Sequence, residues 1–521
     1  MGNEVARRGF IKGVALAGIG VAGTGILAGC GLGSSKSTSI PTKWDKEADI
    51  VVVGGGGTGI VAAIGARESN NSVIVLEKAA TVGGNTAISS GVIQAAGTKY
   101  QKEFSDYKDD TPQKHYEYWI RAAEGIADPD IVKELANDAP NCIDWLVAHG
   151  LSYIDVYGVA RIPYIDAQYM ADRIHVPGGG TNGVSGWGKF HVDTLYKSAQ
   201  SLGAEFMLNT PVKKLIRNGD QGVIGVVADQ GGKDITIKAK KAVIMGSGGY
   251  DRNKVMAKTY CPHQLWALEQ GVCFAAPTNT GDGHLMGQAI GADLAGMGGN
   301  IGLPTSNVGI TPTLPNVPAV PGIYVNKYGE RFVAESDHYG YVMRIVFAQE
   351  EHIAWSIFDE SVKKLGGKLV SGISSMSEDL TKEIADGKVI MAPTIKELAD
   401  KINVNADNLV KTMDTWNKDM TTTKKDSQFN KTVGLTPLNQ APYYAIKIIE
   451  YNLGTVGGLR INTKGQVLDT EANVIPRLYA GGQCSGGFMG PYYPGTGSGI
   501  ISTVYFGRLC SKIASGEKAW S

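Results

Sequence analysis

Three glycines, Gly54, Gly56 and Gly59, follow directly on the apolar run Asp49–Val53, and an acid, Glu77, closes a second apolar run, Val73–Leu76. That spacing is the GxGxxG pattern of a dinucleotide site. Each residue has a physical task. Gly54 permits a tight turn, Gly56 lets a pyrophosphate approach the backbone, and Gly59 lets helix and strand pack closely. The N–H groups that open a helix lack intrahelical partners and sit at its positive dipole end, so they hold phosphate. Glu77 stands where a carboxylate can take two ribose hydroxyls. A flexible glycine loop is the alternative for a bare GxGxxG; two flanking strands and a terminal acid argue against it. These residues do not separate NAD from FAD.

The elements that must position them are legible around them. Asp49–Val53 and Val73–Leu76 read as buried strands, and 58–68 as a helix with small residues on its inner side. Gly83, Gly84, Asn85 and Thr86 lie just beyond Glu77. The periodicity predicts helix across 112–148, opened by Thr111-Pro112, and across 192–202. Strands are expected within 210–229 and 235–244, the last running into Gly246, Gly248 and Gly249. Gly281-Asp282-Gly283 opens a helix that reaches Gly291. From about 296 the composition changes and prolines gather in 302–322. The glycine-and-strand idiom returns after Ala441, with Gly457-Gly458-Leu459 and Leu478–Gly482, and a Gly/Pro loop leads into a last helix, Gly499–Ala514. One α/β nucleotide domain, 47–295 and 435–521, is therefore expected to be interrupted by an inserted unit, 296–434.

The chain has 521 residues, 70 of them glycine, with no net formal charge. That suggests more than one structural unit and gives no electrostatic case for nucleic acid. Residues 1–35 read as a targeting segment. Arg7-Arg8 before a short Gly/Ala-rich apolar run resembles a twin-arginine export signal, and Leu27-Ala28-Gly29-Cys30 resembles a lipoprotein cleavage box. The expectation is export to the extracytoplasmic face of the membrane with lipid on Cys30; an uncleaved anchor is the alternative. Residues 36–46 follow as a tether. Cys142, Cys261, Cys273, Cys484 and Cys510 show no CxxC, haem or iron–sulfur spacing, so any electrons must come from outside the chain. These thiols read as mostly buried, with disulfide pairing left open.

Taken together, these motifs resemble the flavoprotein family of soluble fumarate reductases, urocanate reductases and 3-ketosteroid dehydrogenases. The match runs from about 45 to 521. It includes the fingerprint and Glu77, Gly83-Gly84-Asn85, Ala242–Gly249 with Asn253, and Thr280-Gly281-Asp282-Gly283. It continues in Tyr324-Val325-Asn326, Arg331-Phe332, Glu335, Ile357-Phe358-Asp359, Gly457–Leu459 and Tyr479–Gly482. The resemblance implies FAD as cofactor on a Rossmann-type domain interrupted by an α+β substrate (cap) domain. It implies a cofactor site made of Gly54, Gly56, Gly57, Thr58, Gly59, Glu77, Lys78, Gly83, Gly84, Asn85, Thr86, Ser90 and Gly91. Val212, Gly248, Asp282, Gln483, Gly497, Gly499 and Ile500 complete it. Gln483 stands where many members carry glutamate.

The charged residues that grip a dicarboxylate in fumarate-type members are missing here. Tyr339, four residues past Glu335, replaces one arginine, Leu453-Gly454 a histidine pair, and Tyr493 another arginine. A dicarboxylate needs cations, ideally bidentate arginine. The pattern instead resembles the ketosteroid dehydrogenases, with Tyr493-Pro494-Gly495-Thr496-Gly497 entering the last helix and Phe506-Gly507 within it. That resemblance implies that Tyr339 exchanges a proton with substrate carbon, while the Tyr493 hydroxyl and Gly497 N–H hold a ketone oxygen. Hydride addition to an enone builds charge on that oxygen, and fixed donors stabilise it. The expected enzyme moves hydrogen across a C–C bond beside a ketone, in the reductive direction if an exported enzyme draws on a membrane quinol or cytochrome. Two other functions are open: a reductase of small unsaturated acids, and a flavin-binding lipoprotein that only passes electrons. Tyr157, Tyr164 and Tyr169 are candidate helpers of Tyr339. His338 reads as a surface loop histidine, with a proton relay as the alternative, and Arg331 with Glu335 as a structural pair.

Overall fold

In the computed structural model, residues 40–158, 160–179, 184–306, 322–364 and 379–520 are described. The residues read as export signal and lipid box, the start of the tether (36–39), and 307–321 of the proline-rich stretch lie outside them.

Strand Lys46–Val53 is the centre of an eight-stranded sheet. It pairs in parallel with Val73–Leu76, Ile50 opposite Val73, and with Lys233–Met245, Ile50 opposite Ala242. Strand Val474–Ala480 adds on the far side of Lys233–Met245 and Glu205–Met207 beyond Val73–Leu76. Parallel strands covered on both faces read as unbroken apolar runs; Ile50, Val51 and Val52 have no exposed surface. Helix Gly57–Glu68 crosses between the first two strands and packs against the last helix, Ser498–Ser515. Their approach depends on small residues. A Cβ on Gly507 would lie 2.7 Å from Val61 Cβ, and one on Gly59 only 1.9 Å from the Gly54 carbonyl oxygen.

A six-stranded sheet is organised by the long strand Tyr443–Arg460. Its first half lies between Ala354–Asp359 and Val389–Ala392; its second half pairs with Leu294–Ser306 and, at its end, with Ser485–Gly486. A separate hydrophobic core, including Tyr324, Val342, Leu409, Trp416 and Ile446, fills this region. The third sheet is small: Ile93–Gln94, Asp172–Pro177 and Tyr153–Gly158.

The region 112–148 is two helices, Pro112–Ala122 and Pro129–Ala148. Glu124 interrupts them with φ 51°, and Asp128 caps the second by accepting from the N–H groups of Asp130 and Ile131. The periodicity ran through the break because both helices bury the same kind of face. Among the described residues no helix is long and apolar enough to cross a membrane. The five cysteines within them are free thiols, four buried and Cys273 half-buried.

Candidate active site

The first cleft, about 1290 Å³, lies at the C-terminal ends of the parallel strands. It is lined by Gly54, Gly56, Gly57, Thr58, Glu77, Lys78, Gly83, Gly84, Asn85, Thr86, Val212, Gly248, Asp282 and Gln483. Gly59 and Gly91 line neither this cleft nor the cavity beyond it. Gly59 faces the strand turn, where its missing side chain allows the helix to close.

The residues present fit a dinucleotide. Helix Gly57–Glu68 starts at Gly56 with no side chain capping it, so its first N–H groups face the cleft unclaimed by a side chain. Glu77 accepts the Gly55 N–H on one oxygen and the Ala79 N–H on the other, each at 2.7 Å. An ionised carboxylate has about four lone-pair sites, so both oxygens can still accept a ribose hydroxyl. A Cβ on Gly57 would lie 2.6 Å from both Thr503 Cγ2 and Thr86 Oγ1. Lys78 bonds Asp282 and Thr280, each at 2.7 Å, and makes a neutralised clasp at the cleft wall.

Asn85 joins the two ends of the chain at the floor. Its Nδ2 donates to Gln483 Oε1 at 2.8 Å and to Asp251 Oδ2 at 2.9 Å, and its Oδ1 accepts the Ala276 N–H at 2.7 Å. Asp251, fully buried, also takes the Thr455 N–H and hydroxyl and the Asn279 amide. Sequence reading named Asn85 and Gln483 but not Asp251, whose place beside the Gly248-Gly249 turn was its one signal.

A second cavity, about 1140 Å³, continues from the first and shares Asn85, Thr86, Ile88, Gln483 and Thr503 with it. Here stand Tyr339, Tyr493, Gly497, Gly499, Ile500 and Ser90, against an apolar wall of Phe274, Ile301, Leu303, Leu453, Phe488 and Met489. No Asp, Glu, Lys, Arg or His lines it among the described residues. The Gly499 N–H donates to Tyr493 Oη at 2.6 Å. That occupies the phenol oxygen as an acceptor and leaves its proton free to donate. Burial pushes the Tyr493 pKa up to about 12, against the N–H groups of Gly499 and Gly497.

Tyr339 opens the helix Tyr339–Phe347, with its ring centre 6.5 Å from that of Tyr493. Thr496 Oγ1 donates to its hydroxyl at 3.3 Å. Burial, then the neighbouring Tyr493, pushes its pKa well above that of a free phenol, and Tyr157 and Tyr118 add to this. Tyr157 thus stands near both hydroxyls, whereas Tyr169 lies under Arg121, 4.2 Å from its guanidinium carbon. Tyr118, fully buried in the helix Pro112–Ala122, was not singled out in the sequence.

His338 is not at the surface: it is 1% exposed, and its ring lies 4.4 Å from that of Tyr339. Its N–H donates to the Arg161 carbonyl at 2.7 Å, which draws the start of the helix inward. Tyr492 is buried as well as Tyr493. Arg331 and Glu335 do pair, at 3.0 Å, and Asp426 and Lys431 join them in the second core.

A nucleotide cleft that opens into an uncharged, phenol-lined cavity is the layout of a flavin-dependent oxidoreductase acting on a small molecule. The sequence matches the family described as FAD binding domain over residues 49–500, and the chain belongs to that family. It is an FAD-dependent oxidoreductase of the reductase and dehydrogenase kind. It is 31% identical to a probable fumarate reductase of Shewanella frigidimarina over 86% of this chain and 71% of that one. It is 28% identical to a digoxin reductase of Eggerthella lenta over 99% of this chain and 98% of that protein. Its fold is similar to the 3-ketosteroid Δ4-(5α)-dehydrogenase of Rhodococcus jostii in complex with 4-androstene-3,17-dione. That structure has a TM-score of 0.79 and 26% identity, covering 92% of this chain and 99% of that one.

Proposed function

We propose that this protein reduces a C=C bond conjugated to a ketone in an uncharged small molecule. The observation that carries the reading is the cavity beside Tyr339 and Tyr493, which has no charged side chain among its described lining. A dicarboxylate in such a site would leave two anions unpaired away from water, a cost of several kcal/mol. An enone has only a carbonyl oxygen to satisfy, and Tyr493 holds a free proton for it. The lining of the first cleft, with Asn85 and Gln483 at its border with the second, would hold FAD, which when bound would supply the hydride for the β carbon. Tyr493 and the Gly497 N–H hold the oxygen on which charge develops. Tyr339 gives the α carbon its proton. The same groups serve both directions; burial, which keeps the Tyr339 phenol neutral, suits the donor role that reduction asks of it.

We extend the proposal to the rest of the molecule. The second core and its sheet serve as the cap over the substrate cavity, inserted between the two parts of the FAD domain. The protein is exported by the twin-arginine route, anchored by lipid at Cys30, and receives electrons from a membrane quinol or cytochrome.

Anaerobic assay with reduced viologen tests the substrate class, against cyclohex-2-enone, 4-androstene-3,17-dione, fumarate and urocanate. Turnover of enones is expected; turnover of fumarate or urocanate alone would sink the reading in favour of a small-acid reductase. Tyr339→Phe is expected to keep its yellow FAD and lose about 10²–10⁴-fold in turnover; wild-type activity would remove its proton role.

A further inference from the structure

Asp251 is a fully buried acid that nothing in the reaction described above uses. The Thr455 N–H and hydroxyl donate to its Oδ1 at 2.6 and 2.7 Å, and the amides of Asn85 and Asn279 donate to its Oδ2 at 2.9 and 2.8 Å. The Thr455 hydroxyl accepts the Tyr250 N–H at 3.1 Å, so its own proton goes to Asp251. Asn85 Oδ1 takes the Ala276 N–H, which turns the amide nitrogen toward Asp251. Four donors fill the four lone-pair sites of a carboxylate and leave no acceptor for an O–H. Asp251 is therefore held as the anion.

No cation balances this charge. Among the described residues no Lys, Arg or His side chain forms an ion pair with Asp251. Arg252, next to it in sequence, turns its guanidinium onto the Ala275 carbonyl, with Nη2 at 2.6 Å. Burial holds the pKa of His284, which faces the same charge, below its ordinary value. By contrast the buried acids Asp110, Glu335 and Asp426 each hold an arginine. Burying a charge without a counter-ion is costly, and the place of this one is specific. Of the three residues that donate to it, Asn279 lines the nucleotide cleft, Thr455 the cavity beyond, and Asn85 both. Asp251 lines neither, so it stands directly behind the junction of the two.

We propose that Asp251 is a fixed negative charge that lowers the reduction potential of the bound flavin and so strengthens it as a hydride donor. The inference rests on bound FAD alone and depends neither on the enone reading nor on Tyr339. Two electrons enter the flavin from the external donor, with protons from water, and leave as the hydride given to substrate carbon. Asp251 gains and loses nothing in either transfer and acts by its field. A nearby anion opposes the arrival of further negative charge, and in a site that excludes water this opposition is screened far less than in solution.

Asp251→Asn removes the charge and keeps the shape. The potential of the bound flavin is measured in the holoenzyme by anaerobic titration with reduced viologen against a redox dye. It is expected to rise by about 30 mV or more, which is tenfold in the equilibrium constant of a two-electron couple. Thr455→Val gives a second reading of opposite sign. It keeps the N–H bond to Oδ1 and removes only the hydroxyl, whose positive end offsets the charge, so the potential is expected to fall. A merely structural Asp251 would loosen FAD, seen as paler protein on gel filtration, without moving the potential of the flavin that stays bound. An unchanged or lowered potential in Asp251→Asn overturns the proposal. If that variant holds no FAD, an unchanged or raised potential in Thr455→Val overturns it. Enone turnover has no part in these readings, so failure of this claim is told apart from failure of the enone reading.

Discussion

Tyr493 shows how one hydrogen bond sets a side chain's role. With Gly499 N–H donating to its oxygen, the remaining valence of the hydroxyl is a donor aimed at whatever occupies the cavity. Tyr493→Phe should therefore lower kcat by about 10²–10³ while FAD binding stays intact, the usual cost of one oxyanion donor. The same phenol fixes an upper pH limit. Free phenol ionises near pH 10, but burial moves Tyr493 to about 12. Its donor role holds in the protonated form, so rates should persist through pH 10 and decline toward 12; a wild-type decline centred at 10 that Tyr493→Phe abolishes would contradict this. Both tyrosines were named through the resemblance to the ketosteroid dehydrogenases, Tyr339 by its place after Glu335 and Tyr493 by its place before Gly497, and both line the cavity. The burial of His338 was not legible. Its immediate neighbours give no sign that the helix behind it turns inward, and that depends on the Arg161 carbonyl, far away in sequence.

At the scale of elements, the cofactor site is a joint between two helices from opposite ends of the chain. Gly57 sits at that joint, where Thr503 of the last helix and Thr86 approach to within 2.6 Å of a would-be Cβ. Gly57→Ala should push the helices apart, destabilise the fold by about 1–3 kcal/mol, and weaken FAD retention. Gel filtration at low FAD checks it: the variant should elute pale where the wild type stays yellow. Parallel strands were readable because burial on both faces gives continuous apolar runs. The long strand Tyr443–Arg460 was not, because its neighbours change halfway along. Residues 443–448 pair with Ala354–Asp359 while 448–459 pair with Leu294–Ser306, so no single period describes it.

At the scale of the whole molecule, the second core closes around four charges. Arg331 bonds both Glu335 and Asp426, Lys431 stands 3.3 Å from Glu335, and all four side chains are at most 1% exposed. Arg331→Met would leave two buried carboxylates against one ammonium and should cost about 3–5 kcal/mol, read as a lower denaturant midpoint. Acid should act on the same cluster. Burial alone would raise the Asp426 carboxyl, but the Arg331 guanidinium and the Lys431 N–H outweigh it and hold the pKa at about 2. A folded pKa below the ordinary 3.8 contributes stability that is present above 3.8 and lost as pH falls toward 2. Wild-type unfolding midpoints should drop through that window, and the Asp426→Asn variant should show a flatter profile. The pairing of Arg331 with Glu335 was readable from their i, i+4 spacing; Asp426 and Lys431 were not, since nothing local ties them to a site almost a hundred residues earlier.

The Asn85 joint has a consequence for the order in which the site can form. Its amide ties Gln483, 398 residues further along the chain, to Asp251 and the Ala276 N–H. Both cavities share Asn85 and Gln483. Neither is complete until the last tenth of the chain has been made, so a chain cut short before Gln483 would hold neither cofactor nor substrate as the whole one does.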